Sequence, residues 1–199
     1  MQVLRDEETC PRPPEGTAVT IGAYDGVHLG HQAVIGQVRR LAGQRGLRTA
    51  VVTFDRHPAS VVRPESAPLL LTDLDQKLEL LAATGVDYTL VVRFDEARSK
   101  EPAEEFVEET LVGCLNARAI VVGDDFHFGH ERRGNVAMLS ELGGRYGFDT
   151  MGIDLVDVDG APAGAGGPVS STRIRAALRD GDLRGANHLL GRHHEVRGR

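Results

Sequence analysis

Short apolar runs alternate with amphipathic stretches along this chain. The runs predict five strands, at 18–21, 49–54, 88–92, 119–122 and 150–156. Between them, apolar residues recur at helical spacing, which predicts helices over 30–44, 73–84, 102–115 and 135–146. Strands that alternate with helices indicate an α/β fold, with a parallel sheet covered by helices on both faces.

Residues 22–31, between the first predicted strand and helix, are Gly-Ala-Tyr-Asp-Gly-Val-His-Leu-Gly-His. The three glycines permit sharp turns and close approach of a ligand. A helix that begins here offers unpaired N–H groups and a partial positive charge, which suit a phosphate. His28 and His31 are three residues apart, so both can face one anion. Taken alone, the motif is equally consistent with a tight turn that exposes two histidines.

Three more segments carry chemistry at predicted element ends. Residues 53–58 (Thr-Phe-Asp-Arg-His-Pro) close the second strand, and residues 123–129 place an acidic pair and two phenylalanines after the fourth. Residues 170–175 (Ser-Ser-Thr-Arg-Ile-Arg) have the pattern of a capped helix start whose hydroxyls and arginines converge on an anion. The simpler alternatives are core phenylalanines and an ordinary capped helix.

Residues 159–167, rich in glycine and alanine, predict a loop before that helix, either a variable surface connection or a mobile flap. The net charge of −6 disfavours nucleic acid as a partner. No apolar run approaches the length of a membrane span, and residues 1–15 lack the apolar core of a signal peptide. Because no apolar run is long enough, no membrane partner is expected. Cys10 and Cys114 are far apart without metal-ligand spacing, which favours a reduced, cytoplasmic protein.

Together the four segments resemble the adenylyltransferase module of bacterial FAD synthetase, within the nucleotidyltransferase superfamily of the His-x-Gly-His type. The family patterns match residues 22–31, 53–58, 123–129 and 170–175 in order, with Tyr24 where the family has Phe. Leu190, Gly191 and Arg192 resemble the family's junction into a riboflavin kinase module. The resemblance covers residues 17–199 and implies a Rossmann-like, doubly wound sheet of five parallel strands.

The resemblance implies that ATP and FMN react to give FAD and pyrophosphate, with Mg²⁺ as cofactor and its protein ligands left open. The implied catalytic residues are His28, His31, Asp125, Ser171, Thr172 and Arg175. The implied ATP contacts are Gly22, Ala23, Tyr24, Asp25, His28, His31, Gly123, Ser171, Thr172 and Arg175. The implied flavin contacts are Phe54, His57, Pro58, Asp125, Phe126 and Phe128.

The same resemblance divides the chain into an extension (1–16), a nucleotidyltransferase domain (17–190) and a short stub (191–199) toward an absent riboflavin kinase domain. No riboflavin kinase activity is expected from these residues, whether the protein is naturally a single module or part of a longer one. Two other hypotheses stay open. One is a related nucleotidyltransferase acting on nicotinate mononucleotide, phosphopantetheine or a cytidylyl acceptor. The other is a flavin- or nucleotide-binding module without catalysis.

Overall fold

The computed structural model of the protein describes residues 1–5, 10–164 and 167–197. Its centre is a parallel sheet of six strands: β1 (Gln2–Arg5), β2 (Thr17–Ile21), β3 (Arg48–Phe54), β4 (Tyr88–Val92), β5 (Ala117–Gly123) and β8 (Asp149–Ile153). Their order across the sheet is β1-β4-β3-β2-β5-β8. A small antiparallel ribbon consists of β6 (His127–Phe128) and β7 (Gly134–Asn135).

Helices cover both faces of the sheet. The helices are α1 (Leu29–Arg45), α2 (Ala59–Val62), α3 (Leu74–Ala83), α4 (Glu96–Ser99), α5 (Ala103–Phe106, continued as a π-helix over Val107–Cys114), α6 (Val136–Tyr146), α7 (Ser171–Arg179) and α8 (Leu183–Leu190). Short 3₁₀ turns lie at Pro64–Ser66 and His130–Arg132. Among the residues that the structure describes, no helix is long and apolar enough to cross a membrane.

The alternation of side chains along β2 explains why helices lie on both faces. Every residue of β2 is buried. Ala18 packs with Val38 of α1, whereas Val19 belongs to the core cluster that α5 and α6 complete on the other face. A strand with both faces buried is typical of the centre of a doubly wound sheet. The predicted α/β, doubly wound parallel architecture is therefore confirmed.

The sheet differs from the prediction in its outer strands. It has six strands rather than five, because β1, within the segment expected to be an extension, pairs with β4 at one edge. The sequence gives little sign of β1, since only Leu4 among its four residues is buried. At the other edge β8 ends at Ile153, three residues before the predicted end, and Val156 instead forms an isolated bridge with Pro162.

The expectation of unpaired cysteines is wrong. Cys10 and Cys114 form a disulfide that joins the segment before β2 to the end of α5. Hydrogen bonds from Arg12 N to the Cys114 carbonyl (3.0 Å) and from Asn116 to the Pro13 carbonyl (2.8 Å) hold the same segments together. A disulfide requires that the two cysteines lie close together in the fold, and this proximity cannot be predicted from a separation of 104 residues in the sequence.

Parts of the remaining predictions lie outside the described residues. These are residues 6–9 of the predicted extension, 165 and 166 of the predicted loop, and 198 and 199 of the predicted stub.

Candidate functional site at the carboxyl edge of the sheet

Three of the four predicted segments lie at the carboxyl ends of strands that meet at one edge of the sheet. From β2 the chain passes to β3 on one side and later to β5 on the other, so β2 and β5 flank the topological switch point. In open parallel sheets, ligands bind in the crevice outside the carboxyl ends of the strands at this point. Gly22, Phe54 and Gly123 stand at the ends of β2, β3 and β5.

The loop from β2 to α1 has an unusual backbone. Tyr24, Gly26 and Val27 have φ values of 50°, 83° and 38°. A β-branched residue such as Val27 rarely adopts the left-handed region, and one such residue costs on the order of 1–3 kcal/mol. The Val27 side chain is 2% exposed, packed with Tyr24 and Ile35. The favourable free energy of burying these side chains offsets the cost of the strained backbone. Backbone strain of this kind is found most often at functional sites.

His28 caps α1, and its ring stacks on that of His31. The His28 Nδ1 accepts the His31 backbone N–H at 3.3 Å, and the ring centroids lie 3.6 Å apart at an interplanar angle of 17°. Because His28 Nδ1 is an acceptor, the proton of the neutral ring is on Nε2. His28 therefore presents an N–H donor at the N-terminus of a helix.

Both imidazoles are held neutral. Burial lowers the pKa of His28 to about 4; Asp25 opposes this shift, and Arg175 and Arg192 add to it. Burial, followed by the charges of His28 and Lys77, lowers the pKa of His31 well below its ordinary value. The His31 Nδ1 is buried without a hydrogen-bond partner among the described residues. An unpaired buried nitrogen lowers the stability of the fold, which indicates that a ligand or a water molecule supplies the missing hydrogen bond to His31 Nδ1.

Tyr24 supports the histidines from beneath. Its ring is 2% exposed and lies 4.8 Å from that of His31, and its hydroxyl is 2.8 Å from Thr20 Oγ1. Thr20 thus satisfies the hydroxyl that a Phe would lack. The ring occupies the space beside Gly22, where an added Cβ would lie 3.1 Å from Tyr24 Cε2. The side chain of Tyr24 is thus part of the core under the site.

Asp25 is buried and binds several protein groups. Its carboxylate is 4% exposed and accepts hydrogen bonds from Leu71 N (3.0 Å), Thr72 N (3.1 Å) and Thr72 Oγ1 (3.2 Å). It also forms an ion pair with Arg175. The carboxylate therefore ties the β2–α1 loop to residues 71–72 and to α7.

Helix α7 begins as predicted, with Ser170 as its N-cap. Its next residues contact the site: Ser171 Oγ donates to the Asp25 carbonyl (2.9 Å), and Arg175 Nε donates to the Leu69 carbonyl (2.6 Å). Thr172 is exposed on the first turn. Ser171 and Arg175, expected to bind phosphate, bind loop groups in this structure. An incoming phosphate would therefore compete with Asp25 for Arg175.

Lys77 of α3 is a site residue that the sequence analysis missed. It is 7% exposed, and its Nζ donates to the carbonyls of Ala23 (3.2 Å) and Phe54 (2.8 Å), which follow β2 and end β3. Burial lowers its pKa, opposed by the charges of Asp25 and Asp55. The sequence does indicate that Lys77 is buried: residues 74, 77, 78 and 81 follow helical spacing, and Lys77 stands within the stripe of leucines at the other three positions.

The segment after β3 lies beside this lysine. His57, Asp25, Ala23, Thr72 and Lys77 are among the residues around a cavity of about 20 Å³, roughly the space of one water. His57 Nδ1 accepts from Ala59 N (3.1 Å), and burial lowers the pKa of His57. Pro58 caps α2. Phe54 is half-buried and packs edge-on against Phe94 at 5.3 Å.

The segment after β5 divides between core and surface. Phe128 is 8% exposed and packs in the core with Phe106, whereas Phe126 is half-buried and stacks on Phe128 at 5.5 Å. Asp125 is exposed on the turn after Gly123. Phe54 and Phe126 both pack against the core cluster on the α5–α6 face, opposite the histidines. The site thus has a polar side near α1 and an aromatic side near α5.

The described residues include no group of three or more His, Cys, Asp or Glu side chains that could hold a metal ion. Asp25, the most buried carboxylate of the site, is already bound by protein donors. The exposed Asp125 lies on the turn after β5. Mg²⁺ is commonly bound by one or two carboxylates together with phosphate oxygens, so a site of this kind does not need a cluster of protein ligands.

The FAD synthetase family model matches residues 10–173 of the chain. The chain belongs to the FAD synthetase family. The bifunctional riboflavin kinase/FMN adenylyltransferase of Haemophilus influenzae is 37% identical over 199 residues, which are 100% of this chain and 63% of that protein. The Escherichia coli K12 protein of the same name is 38% identical over 187 residues, which are 94% of this chain and 58% of that protein. The chain thus spans about three fifths of the length of these relatives.

A solved structure has the same fold. It is described as a macrolide-efflux protein from Streptococcus pneumoniae and superimposes with a TM-score of 0.82 at 25% identity. The match covers 100% of this chain and 66% of that one.

Proposed function

We propose that this FAD synthetase chain transfers AMP from ATP to FMN. In this reaction a phosphate oxygen of FMN attacks the α-phosphorus of ATP, the bond from that phosphorus to the β-phosphate bridging oxygen breaks, and pyrophosphate leaves with FAD as the other product. The FMN phosphate is ionised at neutral pH, so no side-chain nucleophile is needed. Catalysis then depends on alignment and on stabilising charge as it develops on pyrophosphate.

The observation that carries this proposal is the neutral His28 ring, which presents Nε2–H at the N-terminus of α1. We propose that His28 and His31 donate to the phosphates of ATP, and that Gly22, Ala23, Tyr24, Asp25 and Gly123 form the nucleotide pocket. Ser171, Thr172 and Arg175 would bind the outer phosphates from α7. A neutral, preorganised donor stabilises a developing oxyanion without first losing a proton.

Aromatic side chains are suited to contact a planar ring such as that of a flavin. We propose that Phe54, His57, Pro58 and Phe126 shape this pocket, with Phe128 supporting Phe126 from the core. Mg²⁺, held by phosphate oxygens with Asp125 as a protein ligand, would supply positive charge to the triphosphate.

We further propose that a riboflavin kinase domain supplies the FMN, since the relatives' names include that activity. ATP is a cytoplasmic metabolite, and we place the protein in the cytoplasm. Thiol trapping in rapidly quenched cells tests that location, because the cytosol disfavours disulfides and the Cys10–Cys114 bond reports the redox state that the protein meets in the cell.

A turnover assay tests the activity. The protein is mixed with ATP, Mg²⁺ and FMN, and FAD is measured by chromatography, with riboflavin, nicotinate mononucleotide and phosphopantetheine in parallel. We expect FAD from FMN and no product from the others. In His28→Ala, loss of one preorganised donor should lower kcat about a hundredfold. Absence of FAD from FMN contradicts the activity, and near-normal rates in both His28→Ala and His31→Ala contradict the phosphate site.

A further inference from the structure

After α8 the chain turns back against the start of α1. Gly191 ends α8 with a φ of 70°. A Cβ at this position would lie 2.6 Å from Leu29 Cδ2, so the close approach requires glycine. Leu29 is the first residue of α1 and directly follows His28. Residues 191–197, which we call the tail, therefore start beside the histidine site.

The next residue, Arg192, binds the loop that precedes His28. Its guanidinium donates to the carbonyls of Gly26 (2.6 Å), Val27 (3.3 Å) and Leu190 (3.5 Å). Gln32 of α1 donates to two of the same carbonyls, those of Val27 (3.0 Å) and Leu190 (3.4 Å). The last turn of α8, the loop and the first turn of α1 thus share one hydrogen-bond network.

The two loop carbonyls belong to the left-handed residues. Gly26 has a φ of 83° and Val27 a φ of 38°, and Val27 immediately precedes the N-cap His28. A turn in this region of conformational space persists only where the surroundings hold it. Arg192 supplies charged donors to both carbonyls of the turn, and charge-assisted hydrogen bonds are stronger than neutral ones.

We propose that Arg192 is a positioning residue for the reaction: it holds the Gly26–Val27 turn so that the Nε2–H of His28 faces the phosphates of ATP. This inference rests on the proposed function, because the rate that Arg192 would affect is the rate of AMP transfer from ATP to FMN. Arg192 lies outside residues 10–173, which the family model matches, and its sequence context indicates only a junction between modules.

The tail provides a matched control. Arg197 binds the exposed Glu79 of α3 at 2.7 and 3.0 Å, and the Glu195 carbonyl accepts from Gln76 (3.3 Å). The Arg197 contacts fasten the tail to the outside of α3 without touching the β2–α1 loop. An arginine that matters only for docking the tail should behave like Arg197.

The kinetic experiment compares Arg192→Ala, Arg192→Lys and Arg197→Ala with the unaltered chain. A misplaced donor lowers the rate of the chemical step, so kcat should fall about 10- to 100-fold in Arg192→Ala, while KM for ATP changes less than about threefold. Arg192→Lys should recover part of kcat, because one charged donor still reaches the turn. Arg197→Ala should stay within about twofold of the unaltered chain.

Two results overturn the proposal: a kcat in Arg192→Ala within twofold of the unaltered chain, or an equal loss in Arg197→Ala. Circular dichroism and thermal unfolding establish that each variant is folded. If Arg192→Ala does not fold, the comparison of Arg192→Lys with Arg197→Ala decides in the same way, with kcat lowered in the first alone.

A second measurement does not need turnover. The ring of His28 is titrated by NMR in each variant; the charged groups that shift its pKa are Asp25, Arg175 and Arg192. Removing the cation at Arg192 should raise the His28 pKa from about 4, whereas Arg197→Ala should leave it unchanged. An unchanged His28 titration in Arg192→Ala overturns the proposal. If the unaltered chain makes no FAD, the proposed function fails, and this titration still tests Arg192.

Discussion

The imidazole of His28 stacks on that of His31 with 3.6 Å between centroids, and its Nδ1 accepts the His31 backbone N–H. This relationship gives the two rings different tasks. His28 caps the helix with one nitrogen and presents the other as a donor. His31 has a buried nitrogen without a partner in the described part of the chain and completes the stack above Tyr24. Protonating either ring would place a charge against its neighbour.

Stability should therefore fall as the pH is lowered from about 6.5 to about 4. His28 has a pKa of about 4 in the folded protein against an ordinary value of 6.5, so the unfolded chain binds more protons between these values. The shift corresponds to about 3 kcal/mol, fully present above pH 6.5 and lost toward pH 4. Urea unfolding at pH 7.5, 6 and 4.5 measures it. His28→Asn, which keeps a capping acceptor, should show a weaker pH dependence; equal slopes would contradict the prediction.

Asp25 should be among the most costly carboxylates to remove. Asp25→Ala leaves the partly buried Arg175 unpaired and the N–H groups of Leu71 and Thr72 without their acceptor. Breaking a buried pair in this way costs about 3–5 kcal/mol in the free energy of unfolding. Asp180→Ala is the matched control, because its pair with Arg179 is exposed and worth under about 1 kcal/mol. Similar losses in the two variants would disprove the buried role of Asp25.

Lys77 and Lys100 are the only lysines in the chain, and they form a natural comparison. Lys77→Met removes the donor that joins the Ala23 and Phe54 carbonyls, so both the free energy of unfolding and FAD formation should decrease. Lys100 forms an exposed i,i+4 pair with Glu96, and Lys100→Met should change stability by less than about 0.5 kcal/mol. Chemical denaturation and the FAD assay measure the two effects; unchanged activity in Lys77→Met would remove Lys77 from the site.

Substitutions at the two stacked phenylalanines should have different effects: one should lower stability, and the other should weaken substrate binding. Phe128 is in the core, so Phe128→Ala should lower the free energy of unfolding by about 3–5 kcal/mol. Phe126 is half-buried beside the proposed flavin pocket, so Phe126→Ala should mainly raise KM for FMN, with KM for ATP as the internal reference. An equal rise of both KM values would place Phe126 outside the flavin pocket.

Patterns among residues close together in the sequence made the central strands and the β2–α1 loop predictable. Strand β4 was predicted with both boundaries correct, because its apolar run stands between polar turns. Ser170 was recognisable as a cap because capping involves neighbours in sequence. Strand β1 was missed because a short edge strand buries only Leu4.

The missing parts of the site depend on distant contacts. Thr72 reaches Asp25 across 47 residues, and Arg192 reaches Gly26 across 166. The spacing of residues close together in the sequence does not indicate contacts of this length. Lys77 is different, since a charged residue within a stripe of leucines was a visible signal of a buried partner.

The disulfide makes residues 10–114 one covalent ring that contains β2, β3, β4 and the histidine loop. A protease cut within that ring, such as at the exposed segment 62–66, cannot release a fragment while the bond is intact. The nicked protein should therefore migrate as one species on a non-reducing gel and as two after reduction. The disulfide would then be the one covalent link between the two halves of the site, so complementation between fragments of this protein can be studied without any binding step between them.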